Sequence, residues 1–127
     1  IIDAIDDNDA KYKADLIYHA QLRGIPIVTV GAVGGRVDPT KIRTGKLSIE
    51  SDDPVLKDVS KRLRDGYGYG TADINRVSCV TSEERHPSLG GAEFQMDYGT
   101  ATHVTGAFGF TAASLALSSL VAEHTHI

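Results

Sequence analysis

Cysteine is nearly absent from this 127-residue chain, in which Cys79 is the single example. One cysteine excludes an intrachain disulfide and a metal site built from cysteine pairs. Cys79 lies in an apolar segment whose nearest cation in the sequence is Arg76, so we interpret it as a buried structural thiol rather than a nucleophile. The lack of disulfides is consistent with a reducing compartment, and we predict a cytoplasmic location.

Charged side chains are absent from residues 98–122. The stretch is long enough to cross a bilayer, but glycine, serine, threonine and histidine dilute its apolar residues. We therefore expect a helix buried against a sheet, and membrane association remains a less favoured alternative. The overall composition, with 41% hydrophobic and 24% charged residues, is typical of one soluble globular domain.

A general excess of positive charge is also missing, since the net charge is −4. The charge is uneven, however, because residues 36–64 contain eight Lys or Arg and five Asp or Glu. Such a window is usually a solvated surface, but it is also the candidate contact for a polyanion. Its basic residues are Arg36, Lys41, Arg43, Lys46, Lys57, Lys61, Arg62 and Arg64.

The amino-terminal part of the chain predicts a βαβ unit. We expect a buried strand over residues 1–5, a helix over residues 10–23 and a β-branched strand over residues 25–30. Asp7 or Asn8 is placed to cap the helix. Such a unit implies a mostly parallel sheet with a right-handed crossover, so the predicted fold class is α/β.

The pattern is less regular further along the chain. We predict strands over residues 42–49 and 77–81, and a helix over residues 54–64 that Asp53 caps and that begins with proline. The segment 66–70 alternates glycine and tyrosine and is flexible by composition. No internal repeat and no second domain are predicted.

Residues 31–35 form a glycine-rich loop directly after a predicted strand. The loop has neither the GxGxxG nor the GxxxxGK[ST] spacing of nucleotide fingerprints, so it does not predict a phosphate cradle. Glycine allows the backbone to approach a neighbour closely. We interpret the loop as a turn that lets the chain pass beneath a ligand or a partner subunit.

Asp6 follows the first predicted strand, and ligands of open α/β sheets bind outside the carboxyl ends of strands. A single carboxylate at such an end, together with substrate oxygens, can hold Mg²⁺. Capping of the following helix by Asp6, Asp7 and Asn8 is an equally good explanation. Lys11 and Lys13 lie in the first turns of that helix, where a lysine either reaches phosphate oxygens or is simply solvated.

Four blocks of the sequence resemble one family. They are DAIDD at 3–7, GIPIVTVGAVGGRVDPTKI at 24–42, RVSCVTSEERHP at 76–87 and GTATHVTGAFGFTAASLAL at 99–117. Together they resemble the carboxyl-terminal half of an E1-like, or ThiF-type, adenylating protein, and most closely the tRNA threonylcarbamoyladenosine dehydratases. The DAID block is shared across E1-like proteins, whereas the glycine loop with DPT and the late FGF segment are typical of the dehydratases.

The resemblance implies part of a Rossmann-like fold and ATP-dependent dehydration of N6-threonylcarbamoyladenosine at position 37 of tRNA, through adenylation of its carboxylate. It implies ATP and Mg²⁺ as cofactors, with Asp6 on the metal and Asp6, Asp7, Lys11 and Lys13 as candidate nucleotide-binding residues. The glycine-rich nucleotide loop of the family would lie upstream of residue 1. We therefore expect residues 1–127 to be the carboxyl-terminal portion of one domain, inactive in isolation.

The resemblance further implies tRNA and a second copy of the chain as partners, and leaves open a sulfur-transfer protein of a cysteine desulfurase system. Two other functions stay open. One is an adenylyltransferase that activates a ubiquitin-like sulfur carrier, although the CxxC pairs of many such proteins are missing. The other is a truncated, non-catalytic module for binding or dimerisation.

Overall fold

Of the four strands that the structure describes, three run parallel to one another, as the βαβ pattern predicts. The computed structural model describes residues 1–6, 9–85 and 99–125. Its strands follow the spatial order β1-β2-β4-β3, with β3 antiparallel to β4. The strands are β1 (Ile2–Asp3), β2 (Val28–Val30), β3 (Ile42–Lys46) and β4 (Ser78–Ser82).

The pairing register brings the carboxyl ends of the parallel strands to one edge. Asp3 lies opposite Thr29, and Thr29 lies opposite Cys79. The chain leaves β1, β2 and β4 on this same side, which we call the carboxyl edge of the sheet. The mostly parallel sheet flanked by helices confirms the predicted α/β fold class.

The described residues form four α-helices beside the sheet: α1 (Lys11–Leu22), α2 (Pro54–Tyr67), α3 (Thr71–Ile74) and α4 (Thr102–Thr125). The start of α2 follows its sequence signals, because Asp53 accepts hydrogen bonds from two backbone amides of the first turn and Pro54 occupies the first helical position. Gly68 ends the helix in the left-handed region, at φ 69°.

The core lies on both faces of the sheet. On one face α1 and α2 bury Ala14, Ile17, Leu56, Val59 and Leu63 in a cluster that also contains Cys79. On the other face Val104, Phe108 and Ala112 of α4 pack against valines of β2 and β4. The helices and sheet therefore form three layers, and the carboxyl edge belongs to the sheet in the middle layer.

The first strand differs from the expectation of a buried apolar run. It spans two residues, Ile1, Ile2 and Ile5 are 39–47% exposed, and the carboxylate of Asp3 is buried instead. Successive residues of a strand point to opposite faces. The inward position of β1 belongs to Asp3, because Lys13 and Thr29 bind its carboxylate there.

The cap of α1 also differs from the prediction. Ala10 is the N-cap residue and provides no side-chain hydrogen bond, while Asp9 Oδ1 accepts from the amide of Lys11. Asp7 and Asn8, the predicted caps, lie outside the described residues. Strand β3 ends at Lys46, three residues before the predicted end.

The glycine–tyrosine segment is more ordered than its composition predicts. Helix α2 continues to Tyr67, whose ring stacks on Tyr18 of α1 at 4.2 Å between centroids. The Tyr67 hydroxyl donates a hydrogen bond to Asp15, and this bond raises the pKa of Tyr67. Tertiary contacts of the two rings therefore override the local flexibility of the glycines.

Helix α4 is buried only along one face of its first half, at Val104, Phe108 and Ala112, which corrects the expectation of a buried helix. Phe110, Leu117, Leu120 and Val121 are between 51% and 81% exposed. Among the described residues one helix, Thr102–Glu123, is long and apolar enough to cross a membrane, and 17% of its apolar window is buried. A test of length and composition of this kind is also met by helices of soluble proteins.

Candidate functional site

Asp6 lies at the carboxyl edge, just beyond β1. Its side chain is exposed and has no hydrogen bond or ion pair with the rest of the described chain. Across residues 1–6, 9–85 and 99–125, no group of three or more His, Cys, Asp or Glu side chains could hold a metal ion. Asp6 can therefore contribute one free carboxylate, and further ligands to a cation would come from a bound molecule.

Asp3 and Lys13 form a buried ion pair behind this edge. Lys13 Nζ lies 3.1 Å from Asp3 Oδ2, and both side chains are at most 3% exposed. Thr29 Oγ1 donates to the same oxygen over 2.6 Å, and the amide of Ile5 donates to Asp3 Oδ1 over 3.1 Å. The ammonium of Lys13 thus ties α1 to β1, and its charge is neutralised inside the fold.

Lys11 occupies a different environment from Lys13, because its side chain is exposed. It borders a shallow depression of about 490 Å³ between α1 and α2, which is also lined by Asp15, Lys61, Arg62, Asp65 and Tyr67. Of the two predicted phosphate-binding lysines, Lys11 is accessible to a ligand, whereas Lys13 is enclosed.

The glycine loop follows β2 at the carboxyl edge, and Asp53 holds it from below. Asp53 Oδ2 accepts a hydrogen bond from the amide of Ala32 over 2.9 Å. A Cβ atom on Gly31 would lie 2.4 Å from this same oxygen, so only glycine fits there. The close approach predicted for the loop is therefore an approach to the N-cap carboxylate of α2.

Arg36 closes the loop from its other end. Its Nη1 lies 3.2 Å from Asp53 Oδ2 and also donates to the carbonyl of Ala32, and both charged side chains are at most 2% exposed. Arg36 Nε is buried without a hydrogen-bond partner in the described part of the chain. The amide of Arg36 donates to the carbonyl of Val33 over 3.3 Å, and Gly35 has φ 75°, so residues 33–36 form a tight turn.

The segment after the turn is held at the far end of the sheet. The carboxylate of Glu84, which follows β4, accepts from the amides of Val37 and Asp38 over 2.9–3.1 Å. His103 Nε2 lies 2.9 Å from the carbonyl of Val37. The start of α4 and the end of β4 thus fix the course of the chain that leaves the glycine loop.

The basic window of residues 36–64 is not one continuous surface. Arg36 is buried, which corrects its place among the candidate polyanion contacts. Arg62 Nη2 pairs with Asp9 over 2.6 Å and Arg64 Nε pairs with Asp65 over 2.8 Å, with both arginines about half exposed. The accessible basic residues lie on α2, on β3 and just before β3. Of these, Arg43, Arg62 and Arg64 pair with acidic side chains.

Cys79 is buried in β4. Burial, and secondarily the negative charge of Asp53, raises the pKa of its thiol to about 11. The thiolate is therefore scarce at neutral pH, which agrees with the interpretation of Cys79 as a structural residue.

The pairing of Arg36 with Asp53 was not predicted from the sequence. Asp53 carries a local signal, the Asp-Pro helix start, and that signal accounts for only one of its two oxygens. The second oxygen serves residues that are distant in the sequence, namely Ala32, Arg36 and Thr81. No sequence spacing marks such a contact.

The described geometry defines an α/β protein in which an exposed carboxylate beyond β1 and a glycine turn after β2 lie at the carboxyl edge of the sheet. No family model matches the chain. The chain is 33% identical, over 97% of its length, to the tRNA threonylcarbamoyladenosine dehydratase of Escherichia coli K12, of which it covers 52%. It is 31% identical, over 95% of its length, to the enzyme of the same name from Haemophilus influenzae, of which it covers 50%.

Solved structures give the same relationship. The E. coli tRNA N6-threonylcarbamoyladenosine dehydratase TcdA in complex with AMP matches 99% of the chain at a TM-score of 0.82 and 36% identity, over 50% of its own length. The complex of TcdA with ATP matches 98% of the chain at a TM-score of 0.80 and 35% identity. The chain spans about half the length of these relatives.

The chain is thus a homologue of about half of a tRNA threonylcarbamoyladenosine dehydratase, a protein with an E1-like Rossmann-type fold. This confirms the resemblance that the four sequence blocks indicate. Asp6, Asp7, Lys11 and Lys13 remain predicted nucleotide-binding residues. Of these, Asp6 and Lys11 are exposed at or near the carboxyl edge, Lys13 is engaged by Asp3, and Asp7 lies outside the described residues.

Proposed function

We propose that these residues are the carboxyl-terminal half of an enzyme that dehydrates N6-threonylcarbamoyladenosine at position 37 of tRNA in the cytoplasm, at the expense of ATP. The observation that supports this most strongly is the match of 99% of the chain to the AMP complex of TcdA. A half-length chain would supply one side of the nucleotide site. We accordingly expect residues 1–127 to be inactive without the remainder of the domain.

The proposed reaction has two steps. A carboxylate oxygen of the threonylcarbamoyl group attacks the α-phosphorus of ATP, the bond to the β-phosphate oxygen breaks, and pyrophosphate leaves. A nucleophilic atom of the carbamoyl group then attacks the acyl carbon and loses its proton, and AMP leaves with the former carboxylate oxygen. The nucleoside has then lost the elements of one water. Adenylation makes this loss feasible, because AMP is a far better leaving group than oxide.

Asp6 is the residue we propose for the metal that accompanies ATP. Mg²⁺ is commonly bound by one or two carboxylates together with substrate phosphates, and the exposed, unpaired carboxylate of Asp6 fits this role. When bound, Mg²⁺ would neutralise charge on the phosphates. Lys11 would add a positive charge near the same edge, while Lys13 would act indirectly by holding Asp3 and the end of β1.

The test uses the complete protein that contains these residues, incubated with Mg–ATP and with tRNA carrying threonylcarbamoyladenosine. Mass spectrometry of the digested nucleosides should show loss of one water. We expect Asp6→Ala to lower the rate at least about 100-fold, since the metal would lose its protein ligand. Asp52→Ala, which alters an exposed carboxylate before α2, serves as the control.

Two results would contradict the proposal. If ATP is cleaved only when a ubiquitin-like sulfur carrier is added, the protein is an adenylyltransferase for that carrier. If the complete protein folds but neither binds ATP nor alters the nucleoside, it is a non-catalytic binding module. Full activity of Asp6→Ala would remove the metal role alone.

We also propose that the protein forms a homodimer through the exposed apolar face of α4. Its exposed residues line an open groove of about 670 Å³ that contains no charged side chain. An apolar face of this kind is typical of an interface. The residues are Phe110, Ala113, Ser114, Leu117, Ser118, Val121 and Ala122.

A further inference from the structure

We propose that the turn of residues 33–36 binds the carboxylate that is to be adenylated, and that Arg36 and Asp53 are its positioning residues. This inference rests on the proposed function, since it names where the acyl substrate lies relative to the ATP site. It concerns the loop after β2, the strand next to β1, and Asp6 lies just beyond β1.

The sheet register places the turn beside the proposed metal ligand. Asp3 of β1 lies opposite Thr29 of β2. Asp6 and Ala32 each follow this pair by three residues, and both strands run in the same direction. A ligand that contacts Asp6 through its phosphates therefore has the turn as its immediate neighbour along the carboxyl edge.

The turn offers two backbone donors to a ligand. The amides of Ala32, Gly35 and Arg36 are occupied by Asp53, by the carbonyl of Gly99 and by the carbonyl of Val33. In the part of the chain that the structure describes, the amides of Val33 and Gly34 have no acceptor, and both residues are only half-buried. Adjacent amides in a turn form a small anion-binding concavity.

The charge of the site favours a carboxylate over a polyphosphate. The buried charges of Arg36 and Asp53 cancel beneath the turn, and no lysine follows the glycines as in a phosphate loop. Two neutral donors match a group with a single negative charge and two oxygens. One carboxylate oxygen loses its negative charge as it bonds to the α-phosphorus. The other becomes the carbonyl oxygen, on which negative charge develops when the carbamoyl group attacks the acyl carbon, within reach of the amides.

The buried pair explains why the donors are held in place. Asp53 fixes the first half of the turn through Ala32, and Arg36 joins the last residue to the same carboxylate oxygen. Asp53 is itself fixed by the amides of Val55 and Leu56 in α2. Loss of Arg36 would leave the hydrogen bonds of the helix cap in place, release the turn, and leave the buried Asp53 carboxylate without its cation.

The experiment compares Gly34→Pro with Gly34→Ala in the complete protein. Proline is well tolerated at the second position of such a turn, so the two variants differ mainly in the backbone N–H. We expect Gly34→Pro to have a kcat/KM for tRNA about 10- to 100-fold below that of Gly34→Ala, with equal KM for ATP. Thermal denaturation verifies that both variants are folded.

Arg36→Gln tests the positioning role. We expect a rise in the KM for tRNA of about 10-fold without a change in the KM for ATP, and partial restoration by Arg36→Lys, which keeps one charged donor. Arg76→Gln is the matched control, because the Arg76 side chain is 76% exposed and its ion pair with Asp73 is long, at 3.9 Å. It should leave both constants unchanged.

Equal kcat/KM values for the two Gly34 variants would overturn the inference, and so would a rise confined to the KM for ATP. The proposed function fails separately, when wild-type protein does not dehydrate the nucleoside. If that protein instead adenylates a sulfur carrier, the Gly34 pair is compared on the carrier's carboxylate. A selective loss in Gly34→Pro would then uphold the carboxylate site without the tRNA activity.

Discussion

At the scale of single residues, two buried ion pairs define the carboxyl edge. Asp3 with Lys13 fixes the end of β1, and Asp53 with Arg36 fixes the turn after β2. A buried charge that loses its partner is costly, whereas an exposed pair contributes little. These four residues should therefore be sensitive to substitution although none of them is open to solvent.

Lys13→Met and Lys11→Met separate a structural lysine from a ligand-binding one. Lys13→Met leaves the buried Asp3 carboxylate without its cation, so the free energy of unfolding should fall by about 3–5 kcal/mol. Lys11 is exposed, and its substitution should change stability by less than about 0.5 kcal/mol. Urea denaturation of both variants gives the answer. Equal stability of the two would show that the Asp3–Lys13 pair is dispensable.

Substitution of Gly31 is a second test at the residue scale, because the Asp53 carboxylate occupies the space that a side chain at this position would need. A Cβ atom would lie 2.4 Å from Asp53 Oδ2, which five hydrogen bonds hold in place with the rest of its carboxylate. We expect Gly31→Ala to cost about 1–3 kcal/mol of unfolding free energy. Gly45→Ala has no atom within 4 Å of the added carbon and should be nearly neutral. A neutral Gly31→Ala would mean that Asp53 can move away.

At the scale of elements, α4 has one face in the core and another that is exposed. Val104, Phe108 and Ala112 are at most 1% exposed, whereas Phe110 is 81% exposed. The residues of the exposed groove repeat at spacings of three and four, so they share one face of the helix. The same helix thus packs one face into the core and presents an apolar surface on another face.

Leu117→Glu tests the proposed dimer, since it places a charge in the centre of this face. We expect the complete protein to shift from dimer to monomer in sedimentation velocity, because an interface would have to bury an unpaired carboxylate. Leu120→Glu is the control: Leu120 is 51% exposed but does not line the groove. A dimer that survives Leu117→Glu would assign this face to another contact.

At the scale of the whole molecule, charge decides where a polyanion can bind. The net charge is −4, so the proposed tRNA partner would be attracted by a local basic surface and not by the protein as a whole. Arg36 is excluded from that surface by burial, and Arg62 and Arg64 on α2 remain accessible. The proposed tRNA contact is therefore the exposed face of α2.

Reversal of both charges, Arg62→Glu with Arg64→Glu, should weaken tRNA binding by the complete protein. If each arginine neutralises one phosphate, the slope of log K against log salt should fall by about 2. Filter binding at several salt concentrations measures affinity and slope together. Arg76→Glu, outside the window, controls for net charge. Unchanged affinity and slope would move the tRNA contact to another surface.

Local patterns determined the elements that are complete within a short stretch. Asp53 and the following proline predict the start of α2, and its apolar spacing predicts the buried Leu56, Val59 and Leu63. The βαβ unit was predicted because a strand, a helix and a second strand follow one another directly. The four sequence blocks likewise indicated the family, because matching a sequence motif does not require knowledge of which residues contact one another in the fold.

Only the tertiary structure decided which charges are buried. Lys13 and Lys11 are two residues apart and chemically alike, yet one is enclosed with Asp3 and the other is exposed. The sequence placed Arg36 among the surface charges, but in the structure it is buried in an ion pair with Asp53, which is distant in the sequence. The physical reason is that helix periodicity and capping act over a few residues, whereas burial and ion pairing depend on segments that meet only when the sheet and its helices have assembled.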